Sequence, residues 1–407
     1  MKTYLGIFLF AVVYLMGSAQ CFAPISILPK SQKIVSSSSS TTTKLWNLMD
    51  AGDLENSQTT DDSLLLPWQM DRRSALFQAI VAGSFLSTIH PEVSYAAMDG
   101  SSSSIPEWTL EGGVKMPILA LNTVGLSAEE TERAVRLAKK EGITHVDFHP
   151  GKERDGVAQY IAKEGTRDGL FLNTKIRKAP PGTSPSDAAE RTRSQIEEDF
   201  KVLGVDSVDM LMLRDSPDCG VIQAQWAVLE DALAAGKTRS IGVINFCQSA
   251  LTCVLQTAKV KPALNYYMLH VGMGSDAHGL RTFGESKGIR TFAYGAVGEP
   301  GPSQELLTNP LLKQMGDAHG KSPEEIALRW VTQSGAAVSV RPTTQFGLGT
   351  SQCNGPLCED GIKARANSFT WSLSKKEMKQ LNAMTSPDDN PTLFSSSGCP
   401  NAFVMPK

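Results

Sequence analysis

Neither sign of charge dominates the 407-residue chain: 39 lysines and arginines stand against 42 aspartates and glutamates. No basic stripe interleaved with aromatics occurs, which excludes the electrostatic footprint of a nucleic-acid binder. Cysteine is scarce, with seven residues in none of the paired spacings of a zinc site. That argues against a disulfide-built scaffold and against a structural metal. Long apolar runs are missing as well. The run Leu5–Met16 falls short of the ~20 residues that cross a bilayer. No glycine-rich phosphate loop follows an early strand candidate, so an open dinucleotide-binding sheet is disfavoured.

What is present starts with a first hundred residues of shifting composition. Lys2 precedes the apolar run, and Gly17, Ser18, Ala19 and Cys21 supply small residues at signal-peptidase spacing. Phe22-Ala23-Pro24 follows, then Lys30, Lys33, a hydroxyl-rich run Ser36–Thr43 and Lys44, with no acidic residue before Asp50. A signal peptide followed by a basic, hydroxyl-rich, acid-poor segment opening at Phe22 resembles the two-part plastid leader of algae with complex plastids. Further on, Arg72-Arg73 precedes the apolar stretch Ala75–Ile89 and the small residues of Ser94-Tyr95-Ala96-Ala97. That order is similar to a twin-arginine export signal, which in a plastid addresses the thylakoid lumen. A chance arginine pair before a short amphipathic helix reads the same way. The expected organisation is a signal peptide over 1–21, a transit segment over 22–97, a folded domain over 98–390 and a tail over 391–407.

From about Glu107 to Ser386 short apolar runs alternate with helical patterns. The strand candidates are Pro117–Leu121, Thr144–Asp147, Leu170–Thr174, Met210–Leu213, Ile241–Ile244, Ala263–Asn265, Thr291–Tyr294 and Val338–Val340. They are apolar on both faces, as buried parallel strands are. Ser127 with Glu130, Ser322 with Glu325 and Ser374 with Glu377 read as capping boxes. Pro323 falls at a first helical position, and Gly204 ends a helix whose apolar stripe is Ile196, Phe200 and Leu203. Eight strands alternating with helices predict an α/β fold of the (β/α)8 TIM-barrel type. In such a barrel the strand C-termini face the active mouth. Here those positions carry Asp147, Lys175, Arg214, Asn245, Tyr266 and Tyr294, and that convergence of polar groups is the main signal of a site.

Several segments, in order, resemble the aldo/keto reductases. They are Gly113-Val114-Lys115-Met116-Pro117-Ile118-Leu119, Gly142-Ile143-Thr144-His145-Val146-Asp147, Gly236 through Phe246, Gly288 through Tyr294, Ile326 through Trp330, and Trp371-Ser372-Leu373-Ser374. The resemblance implies NADP(H)-dependent reduction of a carbonyl, with a tyrosine giving the proton beside a lysine, a histidine and an aspartate. A phenol of ordinary pKa ~10 needs neighbouring cations to release a proton at neutral pH. Asp147 and Lys175 match the family's aspartate and lysine; a bracing ion pair would look identical. The tyrosine position holds Lys152, and the strand-end histidine is replaced by Arg214. Arginine stays protonated, yet its fork can hold a carboxylate, phosphate or alkoxide. His149 or Lys152 could supply the proton instead, or each could be a solvated loop residue.

On the cofactor side, Tyr294 matches the ring that stacks on nicotinamide, Asn245 a carboxamide contact, and Thr123 and Tyr266 stand at neighbouring cofactor positions. Ile244 replaces a serine and Tyr266 a glutamine, each loss removing a hydrogen bond. Arg341 is the candidate for the cofactor's phosphate. The insert Cys353-Asn354-Gly355-Pro356-Leu357-Cys358 turns back on itself, so its sulfurs could bridge in an oxidising compartment or stay free thiols. Two readings stand: a carbonyl reductase with an altered proton donor, or a non-catalytic barrel for an anionic ligand or protein partner. No metal ligand set and no membrane span of the mature domain is expected.

Overall fold

The computed structural model describes residues 104–276, 279–297, 303–343, 353 and 355–384. The leader readings and the tail lie outside the described residues. So does most of the segment following Thr343.

A hairpin of β1 (Glu107–Thr109) and β2 (Lys115–Pro117) opens the domain. The alternation then begins with β3 (Leu119–Asn122), α1 (Ala128–Lys140), β4 (His145–Asp147), α2 (Lys152–Glu164), β5 (Phe171–Ile176) and α3 (Pro185–Leu203). It continues with β6 (Val208–Arg214), α4 (Cys219–Ala234), β7 (Thr238–Ile244), α5 (Gln248–Thr257), β8 (Leu264–Met268), α6 (Leu280–Ser286) and β9 (Arg290–Tyr294). Three helices follow, α7 (Ser303–Thr308), α8 (Pro310–His319) and α9 (Pro323–Gln333), then β10 (Ala337–Val340), α10 (Pro356–Ala366) and α11 (Lys375–Asn382). Strands β3 to β10 close into one barrel, β10 pairing with both β3 and β9, and every barrel pair is parallel. Each of the eight sequence-based strand candidates overlaps one of these strands. This is the (β/α)8 TIM barrel.

The helices start where their chemistry directs. Ser127, Ser322 and Ser374 each accept from the backbone N–H three residues on, and the glutamate there reaches back to the cap; such caps contribute ~1 kcal/mol apiece. Gly204 closes α3 in the left-handed region at φ 67°, where a Cβ would be strained. The hairpin sits at the N-terminal end of the barrel. Arg290, first in β9, lies 4.8 Å over the Trp108 ring. The opposite, C-terminal end is left for the site.

Scarce cysteine is nonetheless used for crosslinks. Cys219 on α4 bonds to Cys253 on α5, both sulfurs being fully buried. Cys353 bonds to Cys358 at the start of α10. Cys247 is disulfide-bonded as well. The sequence weighed only the Cys353 and Cys358 pair. A link across 34 residues needs the barrel's helix neighbourhood before it can be seen. Among the described residues no helix is long and apolar enough to cross a membrane, and no group of three histidines, cysteines or carboxylates could hold a metal.

Candidate active site

Parallel register decides which side chains share the barrel interior. Asn122, Asp147 and Asn173 are in register across β3, β4 and β5, and Lys175 is level with Met212 of β6. Side chains alternate along a strand, so Asn173 and Lys175 share a face, as do Met212 and Arg214. Lys175 points inward to Asp147, and Arg214 therefore projects into the same mouth.

At the floor lies a continuous polar chain. Lys175 Nζ forms an ion pair with Asp147 Oδ1, both residues being wholly buried. Lys175 also donates to Asn173 Oδ1 at 3.2 Å. That orients the Asn173 amide nitrogen toward His145 Nε2 at 3.2 Å, and His145 Nδ1 donates to the Pro117 carbonyl at 2.8 Å. On the other side, Asp147 Oδ2 accepts from the Tyr266 hydroxyl at 2.7 Å and from Ser339 Oγ at 2.5 Å. Asn122 Nδ2 donates to the Tyr266 oxygen at 3.1 Å. Behind the pair, Gln195 of α3 donates to the Lys175 carbonyl at 2.8 Å and to Asp199 at 3.0 Å. The rings of Phe171 and Phe292 pack on His145, and Phe292 also stacks on Tyr266.

Burial and charge set the protonation states. Burial pushes the Asp147 carboxyl up, but the Lys175 charge, His149 and the hydrogen bonds outweigh it and hold the group below its ordinary range. Burial pulls the Lys175 ammonium down further than Asp147 restores it, and the Arg214 charge adds to the fall. Burial, reinforced by Asp147, raises the Tyr266 phenol well above its usual value, so it stays a donor to the carboxylate. His145 is pushed down to about 4 by burial and is neutral.

Beside the mouth, Glu153 of α2 collects four donors. They are the His149 N–H at 2.9 Å, His149 Nδ1 at 3.0 Å, the Gly125 N–H at 3.1 Å and Thr123 Oγ1 at 3.1 Å. These bonds outweigh its burial and lower its pKa. His149 is thereby held half-buried, and the Thr123 hydroxyl, which also lies 3.1 Å from the Asp147 carbonyl, braces the β3 and β4 ends. Lys152 opens α2, exposed, and no hydrogen bond or ion pair to the described residues joins it to the Asp147 cluster. The tyrosine position is thus filled by a helix-start lysine outside the polar chain.

The remaining expected contacts divide. Asn245 directly follows β7 at φ 59° and is alone among described non-glycine residues in having positive φ, a strained conformation that asparagine tolerates best and that clusters at functional sites. Its Oδ1 accepts from the Tyr294 hydroxyl at 2.9 Å. Tyr294 is partly exposed at the mouth, its phenol raised to about 12 by burial. Tyr266, expected beside the cofactor's carboxamide, instead sends its hydroxyl across the barrel to Asp147. Arg341 follows β10, its carbonyl accepting from Arg365 of α10 at 2.7 Å. Arg214 ends β6 partly buried, and its Nε has no hydrogen-bond partner among the described residues. Reasoning from the sequence missed Glu153, Asn122 and Ser339. Glu153 stands one helical turn after His149, the only local hint of their bond.

A closed parallel barrel with a buried carboxylate–lysine pair below its C-terminal mouth defines a (β/α)8 enzyme-type barrel. The comparisons with known proteins make this specific. The chain belongs to the aldo/keto reductase family, which it matches over residues 119–385. An aldo-keto reductase of Mycobacterium marinum (strain ATCC BAA-535 / M) is 32% identical over 286 residues, covering 70% of this chain and 92% of the relative. The morphine 6-dehydrogenase of Pseudomonas putida is 28% identical over 294 residues, covering 69% of this chain and 91% of its own length. The crystal structure of an aldo/keto reductase from Brucella melitensis superposes with a TM-score of 0.59 at 26% identity, covering 69% of this chain and 97% of that one. The chain is accordingly an oxidoreductase of the aldo/keto reductase kind.

Proposed function

We propose that this barrel reduces the carbonyl group of a small substrate with NADP(H), using Lys175 rather than a tyrosine as the proton source. The observation that carries the reading is the Asp147–Lys175 pair at the floor of the mouth, tied on both sides into a hydrogen-bonded chain. Two features fit a nicotinamide ring above it. Tyr294 is partly exposed at the strand ends. The Asn245 carbonyl oxygen is spent on Tyr294, while its amide nitrogen has no hydrogen bond to a described residue. Asn245, Tyr294 and Arg341 are the residues that would hold the cofactor, which when bound supplies the hydride. Thr123 and Tyr266, the other expected cofactor contacts, are hydrogen-bonded to Glu153 and Asp147.

Lys175 Nζ carries three protons. One is committed to Asp147 Oδ1 and one to Asn173 Oδ1; the third has no acceptor among the described residues and is the one assigned here to a substrate carbonyl oxygen. Its lowered pKa makes the ammonium a better acid than a free lysine. Asp147 holds Lys175 in place, and Tyr266 and Ser339 hold Asp147. In the test, Lys175→Met lowers carbonyl-dependent NADPH oxidation by about 10²–10⁴-fold, the usual contribution of a positioned acid. A rate equal to the parent's contradicts the assignment.

A second reading is favoured by burial. Asp147 and Lys175 are wholly inaccessible, and Tyr294 and Asn245 partly satisfy each other. On that reading the barrel is non-catalytic and binds an anionic ligand or a protein. Failure of the parent protein to oxidise NADPH with any of a panel of aldehydes and ketones supports it. For the location, we propose the plastid, with the thylakoid lumen as the final compartment. The leader segments support this, as do disulfides that persist in oxidising compartments.

A further inference from the structure

We propose that Arg214 is the carboxylate-binding residue of this mouth and that the preferred substrates are 2-oxo acids, carbonyl compounds with a carboxylate next to the reacting carbon. The inference rests on the carbonyl-reductase reading for the reaction, and on the geometry alone for the binding. Arg214 stands on the inward face at the C-terminal end of β6, two residues beyond Met212, which is in register with Lys175. Its Nε is buried without a hydrogen-bond partner among the described residues. An unpaired donor of a charged group is unfavourable when buried, so this one points to a missing acceptor.

Nearby carboxylates are already engaged. Asp215, the next residue, is buried and bound by Lys178 Nζ at 2.6 Å. Asp218 caps α4 by accepting from the Val221 N–H at 3.1 Å. Asp147 is held by Lys175, Tyr266 and Ser339. No ion pair joins Arg214 to any described carboxylate. Its charge is nonetheless felt by both Lys175 and Tyr294, which puts the guanidinium in the neighbourhood of both.

A guanidinium offers a planar fork of N–H groups that matches a carboxylate in a bidentate pair. With the carboxylate on Arg214, the adjoining carbonyl oxygen is directed toward Lys175 Nζ. The step balances as follows: a hydride from reduced nicotinamide forms the new C–H bond, the C=O π bond breaks, and its oxygen takes a proton from Lys175 Nζ. The 2-oxo acid becomes a 2-hydroxy acid and the cofactor is left oxidised.

Pyruvate and 2,3-butanedione separate the carboxylate from the carbonyl. They differ only in carrying a carboxylate or an acetyl group beside the same methyl ketone. Arg214 makes no hydrogen bond or ion pair to the described residues, so Arg214→Gln breaks none there. In the full chain, Arg214→Gln is expected to lower the ratio of kcat/KM for pyruvate over 2,3-butanedione by about 100-fold, the penalty typical of losing a bidentate charged contact. Arg214→Lys, which keeps charge but not the fork, falls between. A ratio within about threefold of the parent's overturns the proposal. Calorimetry of pyruvate with the cofactor-free chain gives a second readout. Binding in the parent that is lost in Arg214→Gln supports the carboxylate site even if neither compound is reduced, in which case the reductase reading alone fails. No pyruvate binding by the parent, or equal binding by both proteins, overturns the proposal.

Discussion

The Asp147 carboxylate is where the fold and the chemistry meet. Four groups converge on it or on its partner: Lys175, Tyr266, Ser339 and, through Lys175, Asn173. Tyr266→Phe removes one donor from a buried charge and leaves Asn122 Nδ2 without its acceptor. We expect a loss of about 1–3 kcal/mol in unfolding free energy, read from the denaturant midpoint; an unchanged midpoint would show that the bond contributes nothing. His145 gives a pH dependence of defined sign. Its pKa falls from 6.5 free to about 4 in the fold because burial penalises the cation. Between those values the unfolded chain binds a proton that the folded chain does not. Stability is therefore full above pH 6.5 and declines toward pH 4, by up to about 3 kcal/mol. Asp147 and Glu153, whose pKa values are lowered, add to the decline once the pH falls through the carboxylate range. Unfolding curves at pH 7 and pH 5 measure this, and His145→Asn, which keeps a donor to Pro117, should flatten the difference.

At the scale of elements, α1 and α2 approach closely because Gly156 has no side chain. A Cβ there would overlap the Ala128 carbonyl and the Thr131 side chain. Gly156→Ala is expected to destabilise the domain by about 1–3 kcal/mol, the usual range for overpacking, although alanine is intrinsically the better helix former. A stabilised variant would mean that the helices separate freely. The Cys219–Cys253 link closes a 34-residue separation between α4 and α5. Replacing both cysteines with alanine should cost about 2–4 kcal/mol by freeing the unfolded chain, and thermal unfolding of the pair variant tests that. Much of the barrel was legible in the sequence. Alternating apolar runs placed all eight barrel strands, and three serine–glutamate pairs placed the starts of α1, α9 and α11. Local signals of this kind survive without tertiary information. The links from Tyr266 to Asp147 and from Glu153 to Thr123 did not. The first spans 119 residues and exists because closure of the barrel brings β8 opposite β4. The family pattern pointed to Asp147, Lys175 and Tyr266 one by one, but the hydrogen bond that joins Tyr266 to the aspartate is visible only in the closed barrel.

For the whole molecule, we propose a removable leader ahead of the barrel. Cleavage near Ala96 is the expectation of the Arg72-Arg73 signal. Mass spectrometry of the mature chain should find an N-terminus close to Met98, and one near residue 45 would remove the lumen from the proposal. The central claim is that this barrel still takes up the family's cofactor despite Lys152, Arg214 and Tyr266 in its mouth. Calorimetric titration of the purified protein with NADPH and NADP+ tests it most directly. The account predicts micromolar or tighter binding, weakened by Asn245→Ala and Tyr294→Ala. Absence of binding into the millimolar range would contradict it and would leave the barrel as a binder of anions or proteins.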